Sequence, residues 1–246
     1  MISSRNNYGI EKTLFLQKAL RSLQERMYLM KEFIRKYRHA WILSYGLIYI
    51  TWFMYLERTV RTQYHVMHVA LDDYIPFNEY FIIPYLLWFA YVGVTIAYFF
   101  FTNKEEYYQL CIYLFGGMTI SLIVCTLFRN GTDFRPMIDP DKNIFCRMVF
   151  ALYKTDTCTN VFPSVHVYNS ICTHVAISRN AILRQHHGLQ IGSFLLMVSI
   201  CLATVFLKQH SVIDGIGSAI MAYALYYTVY GAHEHAAQKV RPKMLG

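Results

Sequence analysis

The sequence predicts an all-α membrane protein, a polytopic bundle of six transmembrane helices with an N-terminal amphipathic interfacial helix. Two observations lead to this fold class. Of the 246 residues, 55% are hydrophobic and only 15% are charged, whereas a typical soluble domain carries about 25% charged residues. Several uncharged runs also approach or reach the roughly 20 residues that a helix needs to cross a bilayer. The composition excludes a disordered chain and a disulfide-rich miniprotein, and it argues against a soluble enzyme.

Five apolar runs are long enough to be predicted as membrane spans: residues 40–56, 80–101, 107–128, 189–207 and 211–231. A sixth stretch, residues 157–178, also lacks charge but contains several polar side chains. Among five spans it is best interpreted as a central helix that its neighbours shield from lipid. Six spans are therefore predicted, with five as the alternative. A soluble helical protein is disfavoured because soluble helices normally show a polar face.

The two ends of the chain are basic. In residues 1–39, Leu and Met recur at spacings of three and four among Lys and Arg. This pattern predicts an amphipathic helix at the cytoplasmic membrane interface, with a short coiled-coil contact as the alternative. The predicted division is a cytoplasmic segment at 1–39, a membrane domain at 40–231 and a basic cytoplasmic tail at 232–246.

The distribution of charge predicts the orientation. Residues 1–39 hold nine Lys and Arg, and three more lie in the tail. The positive-inside rule places both termini in the cytoplasm, so that residues 57–79 and 129–156 face outside. We therefore expect an integral protein of the plasma membrane, with the bilayer as its environment. A nucleic-acid partner is disfavoured because the basic residues flank membrane spans. The sequence does not determine the oligomeric state.

Three polar clusters remain that a membrane span does not require, and the predicted topology places all three at the outer face. They are Arg135-Pro136, then Pro163-Ser164-Val165-His166, then Lys208-Gln209-His210-Ser211-Val212-Ile213-Asp214. Each has an ordinary explanation, as a solvated anchor, a packed histidine or a helix cap. Ionisable groups near the membrane are nevertheless functional candidates, and the convergence of three clusters on one face favours a site.

The residue types in these clusters suit phosphate binding. A helix that starts at Pro163 leaves the amides of Ser164 and Val165 free, and free amides at a helix N-terminus bind anions. The Ser164 hydroxyl adds a donor. Arg135 offers a planar fork for phosphate oxygens, and Lys208 could add a second positive charge.

The histidines suit phosphoryl transfer. His210 and Asp214 are four residues apart and share one face if the helix extends back through His210. Asp214 could then hold the imidazole in its reactive tautomer, as carboxylates do in other histidine-based catalysis. His166, one turn into its own helix, is placed to exchange a proton with the leaving group.

With these motifs, the chain resembles the type 2 phosphatidic-acid phosphatase superfamily, which includes lipid phosphate phosphatases, bacterial acid phosphatases and vanadium haloperoxidases. The motifs of that family are Lys, six residues and Arg-Pro; then Pro-Ser-Gly-His; then Ser-Arg, five residues, His, three residues and Asp. Arg135-Pro136, Pro163-Ser164-Val165-His166 and His210 with Asp214 match in the same order. The resemblance covers roughly residues 80–231, and the membrane members of the family have six spans.

The resemblance implies a role for each matching residue. His210 would attack phosphorus and form a phosphohistidine, and Asp214 would orient it. His166 would protonate the leaving alcohol and then activate the acceptor. Arg135 and Ser164 would hold the phosphate oxygens of a membrane lipid phosphate. The implied chemistry needs no metal and no cofactor.

The chain also departs from the family pattern. Phe128 stands where Lys is expected, with Arg129 beside it as a substitute, and Ala203-Thr204 replaces Ser-Arg, so that Lys208 could supply the missing charge. Val165 replaces the glycine of the second motif. A reduced phosphate cradle with an intact His-His-Asp set is similar to the branch that contains sphingomyelin and inositol-phosphorylceramide synthases.

Three functions follow from the match and its departures. The first is a membrane phosphatase that hydrolyses a lipid phosphate or diphosphate at the outer face. The second is a phosphotransferase that passes a phospho-head group to a lipid alcohol. The third is a non-catalytic phospholipid-binding homologue. Separately, Cys146 and Cys158 both fall in the second outer loop, where a disulfide between them could form.

Overall fold

The computed structural model describes residues 21, 23–59 and 63–231. The chain divides into two units, Met1–Ser44 and Tyr45–Gly246. In the first unit, residues 23–37 are helical and a 3-10 helix follows at Arg38–Ser44. Most of the predicted N-terminal amphipathic helix before residue 23, and the basic tail at 232–246, lie outside the described residues.

The second unit is built from helices. Its α-helices are α1 (Tyr45–Thr59), α2 (Ala70–Tyr74), α3 (Ile82–Thr102), α4 (Lys104–Leu127), α5 (Ile144–Thr155), α6 (Val165–Arg179), α7 (His187–Phe206) and α8 (Val212–Tyr226). A π-helical turn at Tyr227–Gly231 continues α8, and 3-10 turns lie at Glu79–Phe81 and Leu183–Gln185. The all-α membrane-type bundle predicted from composition is therefore confirmed.

Four segments in the described part of the chain are long and apolar enough to cross a membrane: Glu79–Thr102, Lys104–Leu127, His187–Phe206 and Val212–Gly231. They coincide with four of the five long apolar runs. The run at 40–56 is divided between the Arg38–Ser44 turn and α1, and the stretch at 157–178 becomes helical only at Val165. With 15 residues each, α1 and α6 are about 22 Å long, which is shorter than a bilayer core of about 30 Å.

The polar stretch forms the central helix of the bundle. Helix α6 packs against α3, α4, α7 and α8, and it buries Tyr168, Asn169 and Thr173 among them. Helix α4 comes close to α6, because a Cβ on Gly117 would lie 2.0 Å from Cζ of Tyr168. Tyr168 donates a hydrogen bond to the Tyr113 carbonyl at 2.5 Å, and the Thr173 hydroxyl donates to the Asn169 carbonyl at 2.7 Å. These two hydroxyls, too polar for lipid, thus find acceptors inside the bundle.

The segments between the helices cover the end of the bundle at which α3, α6 and α8 begin, called here the site end. Two short strands, β1 (His65–Val66) and β2 (Asn130–Gly131), pair in parallel there. The Asn130 side-chain oxygen accepts a hydrogen bond from the Phe162 amide at 2.8 Å, which ties β2 to the start of α6. Cys146 and Cys158 are both free thiols, so no disulfide joins them.

Candidate active site

The three polar clusters meet at the site end of the bundle. His166 lies in the first turn of α6, His210 lies in the turn between α7 and α8, and Arg135 comes from the segment that follows β2. All three line one cavity of about 290 Å³. Its other polar lining residues include Asp156, Asn160 and Gln209, and its aromatic wall consists of Tyr49, Phe53, Tyr85, Trp88 and Phe89.

His210 and Asp214 form a hydrogen-bonded pair. The His210 Nδ1 lies 3.3 Å from Oδ2 of Asp214, and the exposed fractions of the two residues are 8% and 0%. When Nδ1 donates to this oxygen, as a carboxylate acceptor favours, Nε2 carries the lone pair. This is the tautomer in which an imidazole can act as a nucleophile.

A helix cap produces this pairing. Helix α8 begins at Val212, so His210 precedes the helix. His210 and Asp214 therefore do not share a helical face, although their spacing of four residues predicts that they do. Ser211 is the N-cap, and its amide donates to Asp214 Oδ2 at 2.9 Å. The cap folds the preceding residue back over the first turn. Asp214 Oδ1 is buried without a hydrogen-bond partner among the described residues.

His166 has an aromatic environment. Its ring centroid lies 4.5 Å from those of Tyr85 and Trp88 and 5.9 Å from that of His210. No side chain in the described part of the chain forms a hydrogen bond with its imidazole. The two imidazoles therefore lie close together in one cavity with only His210 paired to a carboxylate.

Arg135 is held by protein oxygens. Its Nη1 and Nη2 donate to the carbonyls of Asp156 and Thr157 at 2.7 Å each, and Nη2 also donates to Oε1 of Gln209. The guanidinium lies over the Tyr153 ring at 4.6 Å. These contacts fix its charge beside the cavity while using several of its donors.

Tyr153 supports this arrangement as a neutral residue. Burial raises the pKa of its phenol to about 12, so the hydroxyl stays protonated at neutral pH. It donates to the Leu207 carbonyl at 2.7 Å. The ring therefore joins the Arg135 segment to the end of α7, one residue before Lys208.

Ser164 does not line the cavity. It is fully buried, its Oγ accepts from the Val167 amide at 3.4 Å as the N-cap of α6, and its own amide donates to the Asp214 carbonyl at 3.4 Å. The helix starts at Val165, two residues later than the proline rule predicts. The amides of Val165 and His166, both cavity-lining residues, have no acceptor in the described part of the protein. The amides without an acceptor are thus one residue further along than expected.

Two predicted phosphate-binding cations also lie away from the cavity. The Lys208 ammonium donates to the Asp72 carbonyl at 2.7 Å and lies 5.5 Å from the Phe134 ring centroid. Arg129 is exposed on the segment that leads into β2. Neither Lys208 nor Arg129 is one of the residues that line the cavity.

Sequence reasoning missed several polar residues of the cavity, among them Asp156, Asn160 and Gln209. Asp156 accepts a hydrogen bond from the Tyr85 hydroxyl at 2.9 Å, and Asn160 donates to Glu57 Oε1 at 2.8 Å. Gln209 is the partner of Arg135. The position of Gln209 beside His210 was a usable signal. Asp156 and Asn160 lie in an irregular segment, and no local pattern marks them.

The residues in and beside the cavity have side chains of the types that phosphoryl transfer uses. His210 can act as nucleophile, Asp214 can stabilise its positive charge, and His166 can exchange a proton. The Arg135 charge and two helix N-terminal amides can attract phosphate. Within residues 21, 23–59 and 63–231, no group of three or more His, Cys, Asp or Glu side chains is placed to hold a metal ion.

The sequence matches no protein-family model, and no curated protein or solved structure matches it. The likeness to the type 2 phosphatidic-acid phosphatase superfamily therefore rests on the three motifs and their order. The geometry adds that His166, His210 and Arg135, one from each motif, line the same cavity.

Proposed function

We propose that this protein is an integral membrane phosphatase that hydrolyses a lipid phosphate or diphosphate through a phosphohistidine intermediate. The observation that carries the proposal is the meeting of His166 with the His210–Asp214 pair in one cavity beside Arg135. A lone buried histidine has many structural explanations. Two histidines with different partners, in one cavity beside an arginine, suit a nucleophile and a proton donor.

The proposed reaction has two steps. In the first, His210 Nε2 attacks phosphorus and the phosphorus–oxygen bond to the leaving group breaks. His166, protonated in the complex with the anionic substrate, gives its proton to the departing alkoxide. In the second, neutral His166 takes a proton from water as the water oxygen attacks phosphorus. The phosphorus–nitrogen bond then breaks, releasing phosphate and returning both histidines to their starting state. Asp214 stabilises the positive charge on His210 throughout.

The cavity wall supports a lipid substrate. Tyr49 and Phe53 come from α1, and Tyr85, Trp88 and Phe89 come from α3. Apolar rings beside a histidine pair suit a molecule with a polar phosphate and an apolar chain. The four membrane-spanning candidates place this cavity in a protein that lipids surround.

We also propose the finer topology that the charge pattern predicts. In this arrangement α1 and α6 complete six spans, and the basic amphipathic segment lies at the interface. Both termini are cytoplasmic and the site end faces outside in the plasma membrane. Cysteine labelling from each side of sealed vesicles tests the orientation: a cysteine introduced at Asp139 should react from outside only.

A second candidate function is phosphoryl or phospho-head-group transfer to a lipid alcohol. The observation that favours it is the incomplete phosphate cradle. Arg135 spends donors on Asp156, Thr157 and Gln209, and the Lys208 ammonium binds the Asp72 carbonyl. A cradle with few free donors suits a phosphate diester, which carries one negative charge.

The experiment uses purified protein in detergent with phosphatidic acid, phosphatidylglycerol phosphate, an isoprenyl diphosphate and a sphingoid phosphate, each with and without a lipid alcohol. Release of inorganic phosphate supports the phosphatase, and a phosphorylated alcohol supports the transferase. His210→Ala and His166→Ala should both lose turnover, while His187→Ala, at an exposed histidine, should not. Full turnover in the first two variants would contradict the mechanism. Binding without turnover on every substrate would favour a non-catalytic homologue.

A further inference from the structure

We propose that Asp72, from the short helix α2, is a positioning residue that fixes His210 for attack. The proposal rests on the proposed function, because it assigns Asp72 a part in preparing the same nucleophile. Asp72 has an exposed fraction of only 3%. It lies more than 130 residues before His210 in the chain and does not line the cavity.

The Asp72 carboxylate binds the start of α8 directly after His210. Its Oδ2 accepts a hydrogen bond from the Ser211 hydroxyl at 2.5 Å, and its Oδ1 accepts from the Val212 amide at 2.9 Å. The Val212 amide belongs to the first turn of α8, where backbone amides have no acceptor within the helix. A carboxylate is favoured there because it also faces the positive end of the helix dipole.

The main chain of Asp72 binds the residue on the other side of that turn. Its carbonyl accepts from the Lys208 ammonium at 2.7 Å. Asp72 therefore holds Lys208, Ser211 and Val212, which bracket His210. This contact also accounts for the position of the Lys208 charge, which sequence reasoning assigned to phosphate binding.

Asp72 is itself fixed before it makes these contacts. Its Oδ2 also accepts from the Val69 amide at 2.9 Å, which caps α2. The carboxylate thus receives three donors on two oxygens in a buried place. An asparagine would keep the size but replace one of the two oxygens by an amide group, which cannot accept a hydrogen bond.

The path from Asp72 to the reacting atom is short. Ser211 donates its hydroxyl to Asp72 and its amide to Asp214 Oδ2, and that same oxygen faces His210 Nδ1. If the Ser211 hydroxyl loses its acceptor, the amide that orients Asp214 is no longer fixed. His210 would then sample rotations in which Nε2 does not face the phosphate, so fewer molecules attack at any moment.

The kinetic expectation is specific. Asp72 does not line the cavity, and in the described part of the chain its carboxylate forms hydrogen bonds only with Val69, Ser211 and Val212. Ground-state binding should therefore change little. A mispositioned nucleophile stabilises the transition state less well and so lowers kcat. A displacement of about 1 Å can lower the rate about 100-fold. Asp72→Asn should therefore lower kcat by roughly 10- to 100-fold with KM within about two-fold of the original.

The matched control is Asp73→Asn, the next residue on the same helix. Asp73 has an exposed side chain whose one hydrogen-bond partner in the described part of the chain is His68, so this variant should keep its kcat. Ser211→Ala should resemble Asp72→Asn, because each variant disrupts the same hydrogen bond between Ser211 and Asp72. The double variant should therefore lose little more activity than either single variant. A kcat for Asp72→Asn equal to that of Asp73→Asn would overturn the proposal, as would full additivity of the Asp72 and Ser211 effects.

A second measurement does not depend on turnover. Diethyl pyrocarbonate modifies imidazoles, and His210 is nearly buried in the original protein. Mass spectrometry should show a several-fold faster modification of His210 in folded Asp72→Asn, with His187 unchanged as the internal reference. An unchanged His210 rate would overturn the proposal. If the original protein shows no turnover on any substrate but the His210 rate still rises, the proposed function fails and the positioning contact stands.

Discussion

The two histidines of the cavity are held in opposite ways. His210 is surrounded by charge and hydrogen bonds: Asp214 faces its Nδ1, and the turn around it is bound through Ser211. His166 is held between the rings of Tyr85 and Trp88. A nucleophile needs one tautomer and a partner for the positive charge it acquires, whereas a proton donor must change its charge twice in each cycle. A histidine paired with a carboxylate suits the task of the nucleophile. A histidine between two aromatic rings, without a fixed hydrogen-bond partner, suits the task of the proton donor.

Removing the proposed nucleophile, His210, should have the largest effect on activity. His210→Ala should lower kcat by about 10⁴-fold or more, because His166, the other imidazole among the described residues that line the cavity, has no carboxylate partner to stabilise the charge of an attacking imidazole. No acid-labile phosphoprotein should be trapped when the reaction is quenched in alkali. A labelled phosphoprotein of normal yield in this variant would show that another residue is the nucleophile.

Removing the charge on Asp214 should have the next largest effect. Asp214→Asn keeps the volume and the fully buried position but cannot stabilise the imidazolium and favours the wrong tautomer. We expect kcat to fall by about 10³- to 10⁴-fold, because replacing the carboxylate that orients a catalytic histidine by an amide costs about 10⁴-fold in a serine protease. Steady-state kinetics of the folded variant measure this, with Asp141→Asn, at an exposed residue of the segment between β2 and α5, as the control.

The loss of activity on removing His166 should depend on the leaving group of the substrate. His166→Ala should lower kcat by about 10²- to 10³-fold for a lipid phosphate, since general acid–base catalysis contributes about that much. For an activated aryl phosphate, whose leaving group needs no proton, the loss in the first step should nearly vanish. Rapid-quench measurement of the first turnover tests this. An equal loss for both substrates would contradict the role of proton donor.

The aromatic slot itself should contribute least. Trp88→Ala removes one of the two rings around His166, so we expect kcat to fall by about 3- to 10-fold because the imidazole is held less firmly. Trp88→Phe keeps a ring and should restore most of the loss. The comparison of the two variants, both tested on the lipid substrate, shows whether the ring or the indole matters. A Phe variant as slow as the Ala variant would assign the effect to the indole nitrogen.

Local rules predicted much of this protein because they depend on neighbouring residues only. Four apolar runs became helices long enough to cross a membrane, since length and hydropathy decide that property. The other two runs gave 15-residue helices. There the Arg38–Ser44 turn and the Ser164 cap decided where the helix starts, and hydropathy does not register either feature.

The candidate site shows the same division. His166, His210 and Arg135 lie together as their motifs suggested, and His210 meets Asp214 because a capping box is a local structure. The phosphate donors were harder to predict. Lys208 is free to bind the Asp72 carbonyl because α2 lies beside it, and Ser164 spends its hydroxyl on the α6 cap. A long side chain or a hydroxyl binds whichever partner the fold brings near.

The sequence by itself determined the helical membrane-type class, the four segments long and apolar enough to cross a membrane, and the choice of His166, His210 and Asp214 as candidate residues. Each of these follows from composition or from spacings of a few residues. Only the tertiary structure decided that Asp156 and Gln209 enter the cavity, that Lys208 leaves it, and that Asp72 brackets His210. Those contacts join segments that are 70 or more residues apart in several cases. Their geometry depends on the path of the whole chain, which no local pattern specifies.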